Sequence, residues 1–177
     1  MLLVVALAMF QPWLLFVSTT VDDALPTVAP QTTAASSATP TASASTAPTV
    51  KPTPSSTAPI VLAQGTFISH EHQTTGTAKI IKLADGSRIL RLENLSTSNG
   101  PQVEGWLSDQ PVIEGRDGWF VFKDGNHLSL GAIKGNRGNQ NYPIPDSVNL
   151  ADYSAVTLWC AHFYVSFGAA ELTPSTQ

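Results

Sequence analysis

Cys160 has no second cysteine to pair with, so the chain cannot close a disulfide on itself. Basic residues are also sparse: nine Lys and Arg against thirteen Asp and Glu give a net charge of −4. They form no stripe or cluster of the kind that neutralises phosphates, which excludes nucleic acid as a partner. Helical patterning is missing, because no window of ten residues or more brings apolar side chains round every three or four positions. No pair of carboxylates is spaced for acid and base work: Asp85 and Asp124 sit in turn dipeptides, Asp117 and Asp146 in loop-like sequence. The glycine-rich run LGAIKGNRGNQNYPIP, residues 130–145, lacks both the spacing of a phosphate loop and the helix that would follow one. It reads as a long loop leading to an edge strand, with Gly131, Gly135 and Gly138 for special backbone angles and Pro143 and Pro145 limiting further pairing.

What is present falls into three textures. Residues 2–17, LLVVALAMFQPWLLFV, are apolar apart from Gln11, and Trp13 suits a bilayer interface. A membrane crossing needs roughly 20 residues as a helix, and residues 18–21 can extend the run. Residues 1–21 are therefore expected to be a membrane anchor or signal segment. No Lys or Arg precedes it and no A-x-A-like cleavage site follows, so an uncleaved anchor is expected, with a cleaved signal peptide as the alternative. Between residues 24 and 64 the only charged residue is Lys51. Residues 22–59 are rich in Thr, Ala, Pro and Ser, too poor in apolar side chains to offset the entropy of ordering, and are expected to be a disordered linker. As a stalk it would reach between roughly 35 Å as a coil and roughly 110 Å extended.

Residues 60–174 alternate apolar and polar side chains in short runs broken by turn dipeptides. Asp85-Gly86 predicts a hairpin between strands near residues 79–82 and 88–92, and Asp124-Gly125 predicts a second. Further strands are predicted over residues 65–69, 103–107, 119–122, 127–130, 156–160 and 163–167. The fold class is all-β, a β-sandwich or barrel-like domain of seven to nine short strands.

His70 and His72 in SHEHQTTG would share one face of an extended segment, as two metal ligands would, but a third is needed: Glu71 would point the other way, and His127 and His162 are distant in sequence. Polar surface histidines are the default reading, and no metal site is assigned. Trp106, Trp119, Trp159 and Tyr142 suit either a sugar-binding surface or a sandwich core, with core packing favoured. In VTLWCAHFYVSFG, Val156, Leu158 and Cys160 share a face, and the phase flips to Phe163, Val165 and Phe167. A turn or bulge at Ala161-His162 would put Cys160 at a strand end near a loop. Two readings stay open for it: an inert thiol among aliphatics, or a reactive one beside the loop and His162.

Four stretches, taken together, resemble the DM-thirteen domain family: GTFISHEHQTTGTAKI, RLENLSTSNGPQVEGWLS, LGAIKGNRGNQNYPIP and VTLWCAHFYVSFGAAEL. They cover nearly all of residues 63–172, in order. The N-terminal FQPWLLFVSTTVDDALP also resembles the bacterial, particularly actinobacterial, membrane-anchored members. The resemblance implies a compact β-sandwich-like domain outside the membrane and an electron-transfer or thiol-based redox role. It implies that Cys160 is the redox group, as a free thiol or as a ligand to a prosthetic group such as haem. The chain departs from the family pattern at Gln102, where an Asp is usual. The expected location is the cell membrane, single-pass, with the C-terminal domain outside the cytoplasm. Expected partners are the membrane itself and an envelope protein or cell-wall polymer. A non-catalytic binding or structural surface module is the alternative function.

Overall fold

Alternating patterns this short can bury themselves only by stacking one sheet on another. The computed structural model describes residues 17–26 and 58–175. In chain order the strands are β1 (Thr20–Asp22), β2 (Ile60–Thr66), β3 (Ile68–Ser69), β4 (Thr75–Lys82), β5 (Arg88–Ser96), β6 (Val103–Ser108), β7 (His127–Ala132), β8 (Arg137–Ile144), β9 (Ala155–Cys160), β10 (Val165–Glu171) and β11 (Thr173–Pro174). One sheet runs β1-β8-β5-β4-β2-β11 and the other β3-β10-β9-β6-β7. Eight strands have six residues or more; β1, β3 and β11 are short additions. Among the described residues no helix is long and apolar enough to cross a membrane. Residues 1–16 of the expected anchor and 27–57 of the expected linker lie outside the described residues.

The core lies between the sheets. Ile80, Leu90 and Leu92 of the first sheet meet Leu107, Val156, Leu158, Cys160 and Phe167 of the second, all close to fully buried. In β5 the two-faced pattern is realised as the sequence predicts: Leu90 and Leu92 enter this core, while Ile89 turns outward to pack with Ile81, Leu83 and Leu25. The Asp85-Gly86 hairpin joins β4 to β5, with Gly86 at φ +90° and the Asp85 carboxylate accepting from Ser87 N–H at 2.9 Å.

Several predicted elements are corrected. The run predicted as a strand at residues 119–122 instead forms two 3-10 turns, Arg116–Trp119 and Val121–Lys123. Gly118 fixes this path, because any Cβ there would fall 1.8 Å from the Ile113 carbonyl oxygen. Asp124-Gly125 makes no hairpin of its own, since β7 pairs with β6 across the long loop between them. That loop folds over the outer face of the second sheet and buries Phe122 against Trp106, Trp159 and Ala169. The run read as a long loop leading to an edge strand, residues 130–145, instead holds the end of β7 and all of β8, which pairs on both sides, with β1 and β5. Pro143 stands inside the ladder opposite Ile89, while Gly131 and Gly138, as read, each hold a left-handed φ of +96°.

The N-terminal piece is part of the domain. β1 pairs in parallel with β8, so the boundary expected at residue 21 falls inside a strand. Asp23 accepts from Lys134 Nζ at 2.5 Å and from Asn141 N–H at 3.0 Å, and these bonds hold its carboxyl below the usual range. Gly138 makes the docking possible: a Cβ there would stand 2.0 Å from the Val21 carbonyl oxygen.

Candidate functional site

Cys160 ends β9, and the chain turns through residues 161–164 into β10, where Val165 pairs back with Cys160. The predicted slip of phase is this turn, and Phe163, expected in a strand, belongs to it. Trp159 faces the long loop and Cys160 faces the core, so the two neighbours serve opposite sides of one strand. The Cys160 side chain is fully buried, and its Sγ–H donates to the Pro101 carbonyl at 3.1 Å. His162 is exposed and packs edge-on against Phe163.

Pro101, whose carbonyl accepts from the sulfur, and Val165, the strand partner of Cys160, also line an open cleft of about 630 Å³. Its walls are aromatic, with Trp119, Phe120, Phe163 and Phe167. Phe120 is 40% exposed, Phe163 62% and the adjacent Tyr164 66%, an unusual concentration of ring surface in water. Gly100 lets the loop come down onto the floor, since a Cβ there would meet the Phe167 ring at 2.6 Å. The polar edge is His72, whose ring lies edge-on to Phe167 and whose Nε2 is 2.7 Å from Glu71.

Two non-glycine residues in the left-handed region flank this end of the domain, Gln102 and Tyr164, each at φ +54°. The Gln102 carbonyl accepts from Ala161 N–H at 3.0 Å, which ties the Pro101 loop to the Cys160 turn. Asp, usual at position 102 in the family pattern, takes a left-handed φ more readily than Gln does.

The remaining sequence candidates are dispersed. His70 and His72 have separate partners: the His70 ring is buried, with Nδ1 2.8 Å from Ser166 Oγ and Nε2 3.1 Å from the Ile113 carbonyl. A carbonyl only accepts, so Nε2 carries the proton and Ser166 donates to Nδ1. Burial pushes His70 below its ordinary value of 6.5. Among the described residues no three His, Cys, Asp or Glu side chains gather as metal ligands. Trp106, Trp159 and Tyr142 are buried, which leaves Trp119 alone of that set on the cleft. Trp106 stacks on His127 at 3.7 Å and gives its indole proton to Glu104. Burial raises Tyr142 to about 12.

A match to known families now bears on this geometry. The electron-transfer DM13 family matches residues 66–172, more than half the chain and all of the cleft. The chain belongs to the electron-transfer DM13 family. No curated protein and no solved structure matches it. The haem implied by the family resemblance does not fit the residues present. Cys160 Sγ is enclosed by core side chains and already bonded, and the cleft is lined by no Lys or Arg that could meet a propionate. Reading the sequence missed the cleft, because its walls come from loops and turns whose convergence has no periodic signal.

Proposed function

We propose that this DM13 chain is an electron-transfer module held at the outer face of a cell membrane by its N-terminal segment, with Cys160 as its redox-active thiol. One observation carries the choice of Cys160: the only cysteine donates to the Pro101 carbonyl and pairs in register with Val165, and both of those residues line the cleft. Having no internal partner, it changes oxidation state by exchange with an external disulfide, R–S–S–R′. Cys160 gives up its proton and its sulfur attacks one sulfur of R–S–S–R′. That S–S bond breaks, a Cys160–S–S–R bond forms, and R′–S⁻ leaves to take up the proton. A buried thiol is inert, so exchange requires the 161–164 turn to lift. The left-handed Tyr164 and the exposed Phe163 mark that turn as the part able to do so.

The exposed rings also favour a second reading, a non-catalytic module that binds an envelope protein or cell-wall polymer and needs no sulfur. Cys160→Ala separates the two. Under the redox reading it costs about 1–2 kcal/mol of stability, the scale of deleting a small buried group, and abolishes exchange with an external disulfide acceptor. Electron exchange in Cys160→Ala equal to that of the wild type would dismiss the thiol.

A further inference from the structure

We propose that the aromatic cleft binds an uncharged planar conjugated ring of the quinone class, drawn from the membrane. This rests on the electron-transfer reading for its choice of a redox-active ring. A cleft of about 630 Å³ with predominantly apolar walls has the size and character of a site for a small organic ligand. Rings stack on aromatic walls, and Trp119, Phe120, Phe163 and Phe167 supply them. Charge narrows the class. No Lys or Arg lines the cleft, and Arg116 is engaged over the Trp119 ring at 5.9 Å, so phosphate and carboxylate tails find no partner there. A quinone needs only polar groups at its edge, and the His72–Glu71 pair stands at the rim.

The position of the cleft points to the source of the ligand. Asn99, which lines it, donates through Nδ2 to the carbonyl of Val17, the last residue of the apolar N-terminal run. The cleft therefore opens beside the point where the chain meets its expected anchor. A quinone seated there supplies the two-electron acceptor for thiol oxidation. Cys160–SH and an external thiol R–SH lose their S–H bonds, and one S–S bond forms between the sulfurs. The two protons and two electrons convert the quinone carbonyls to hydroxyls.

The test is photolabelling of the detergent-solubilised full chain with an azidoquinone, with labelled peptides mapped by mass spectrometry. Duroquinone, which has no free ring carbon for thiol addition, is the competitor. The expected label falls within residues 98–101, 119–120 or 163–167, is competed by duroquinone, and drops at least tenfold in Phe120→Ala/Phe163→Ala, whose altered side chains are exposed. Cys160→Ala should label like the wild type, which keeps binding separate from redox chemistry: a wild-type chain that labels but shows no electron exchange defeats the proposed function and leaves the site standing. Label elsewhere, label that duroquinone does not displace, or label undiminished in the double variant would overturn the quinone site. Hemin that displaces the label, with a haem absorbance lost in His72→Ala, would overturn the assignment to an uncharged ring.

Discussion

At the scale of single residues the domain separates groups that pack from groups poised to react, and His70 shows how. Its imidazole is locked by Ser166 and the Ile113 carbonyl and fastens the long loop to the second sheet. Its folded pKa lies below the ordinary 6.5. Above 6.5 both states hold it neutral and its contribution is complete. As the pH falls through 6.5 the unfolded chain takes up a proton that the folded chain refuses, and stability drops until the folded value is reached. Urea midpoints should therefore decline from pH 7 to pH 5, and His70→Gln should flatten that limb. Asp23 and Glu93, held low by hydrogen bonds from Lys134 and Lys79, act in a more acid window, below their ordinary 3.8 and 4.5. An unchanged slope in His70→Gln would mean that another group titrates. The sequence singled out this histidine as a surface group, because the loop that buries it comes from more than forty residues away and leaves no local trace. Cys160 was more legible: alternation placed it at a strand end facing aliphatic side chains, and it lies there.

At the scale of elements, hairpins and faces were readable where one strand followed another directly. The β4–β5 pair, with Asp85-Gly86 between, came from period and turn chemistry alone. Two elements were not readable. The stretch at residues 119–122 has strand-forming residues, but Gly115 at φ +74° and the tight contact of Gly118 make it turn. β1 lies in sequence that is too short and polar to announce a strand, and only the surface of β8 defines it. Its docking depends on Gly138, and a comparison of two glycines tests this. Both Gly86→Ala and Gly138→Ala impose a left-handed φ on alanine, costing about 1–2 kcal/mol. Only Gly138→Ala also drives a Cβ into the Val21 carbonyl. Gly138→Ala should therefore cost more in thermal denaturation, and it should expose Val21 and Leu25 to proteolysis. Equal costs would mean that β1 contributes nothing to stability.

At the scale of the whole molecule, the docked β1 changes what the Thr/Ser/Pro segment does. Residues 27–57 leave from β1 and return to β2, so they begin and end on the same domain. Under the proposed anchor the domain then sits beside the bilayer rather than at the end of a stalk. Deleting half of residues 27–57 should leave its height unchanged, read by energy transfer from a label on Asp146→Cys, in a Cys160→Ala background, to a dye in the membrane. A height that falls with linker length would restore the stalk. A domain close to the bilayer suits a cleft that takes its ligand from lipid, and both give the buried thiol its context. The central claim is that Cys160 changes oxidation state while the domain stays folded. The most direct measurement equilibrates the folded full chain with glutathione at a series of ambient potentials, quenches with acid, alkylates and weighs the protein. The account predicts a reversible transition from free thiol to mixed disulfide at Cys160 with circular dichroism unchanged. A thiol that stays fully reduced at every potential until the protein unfolds would contradict it.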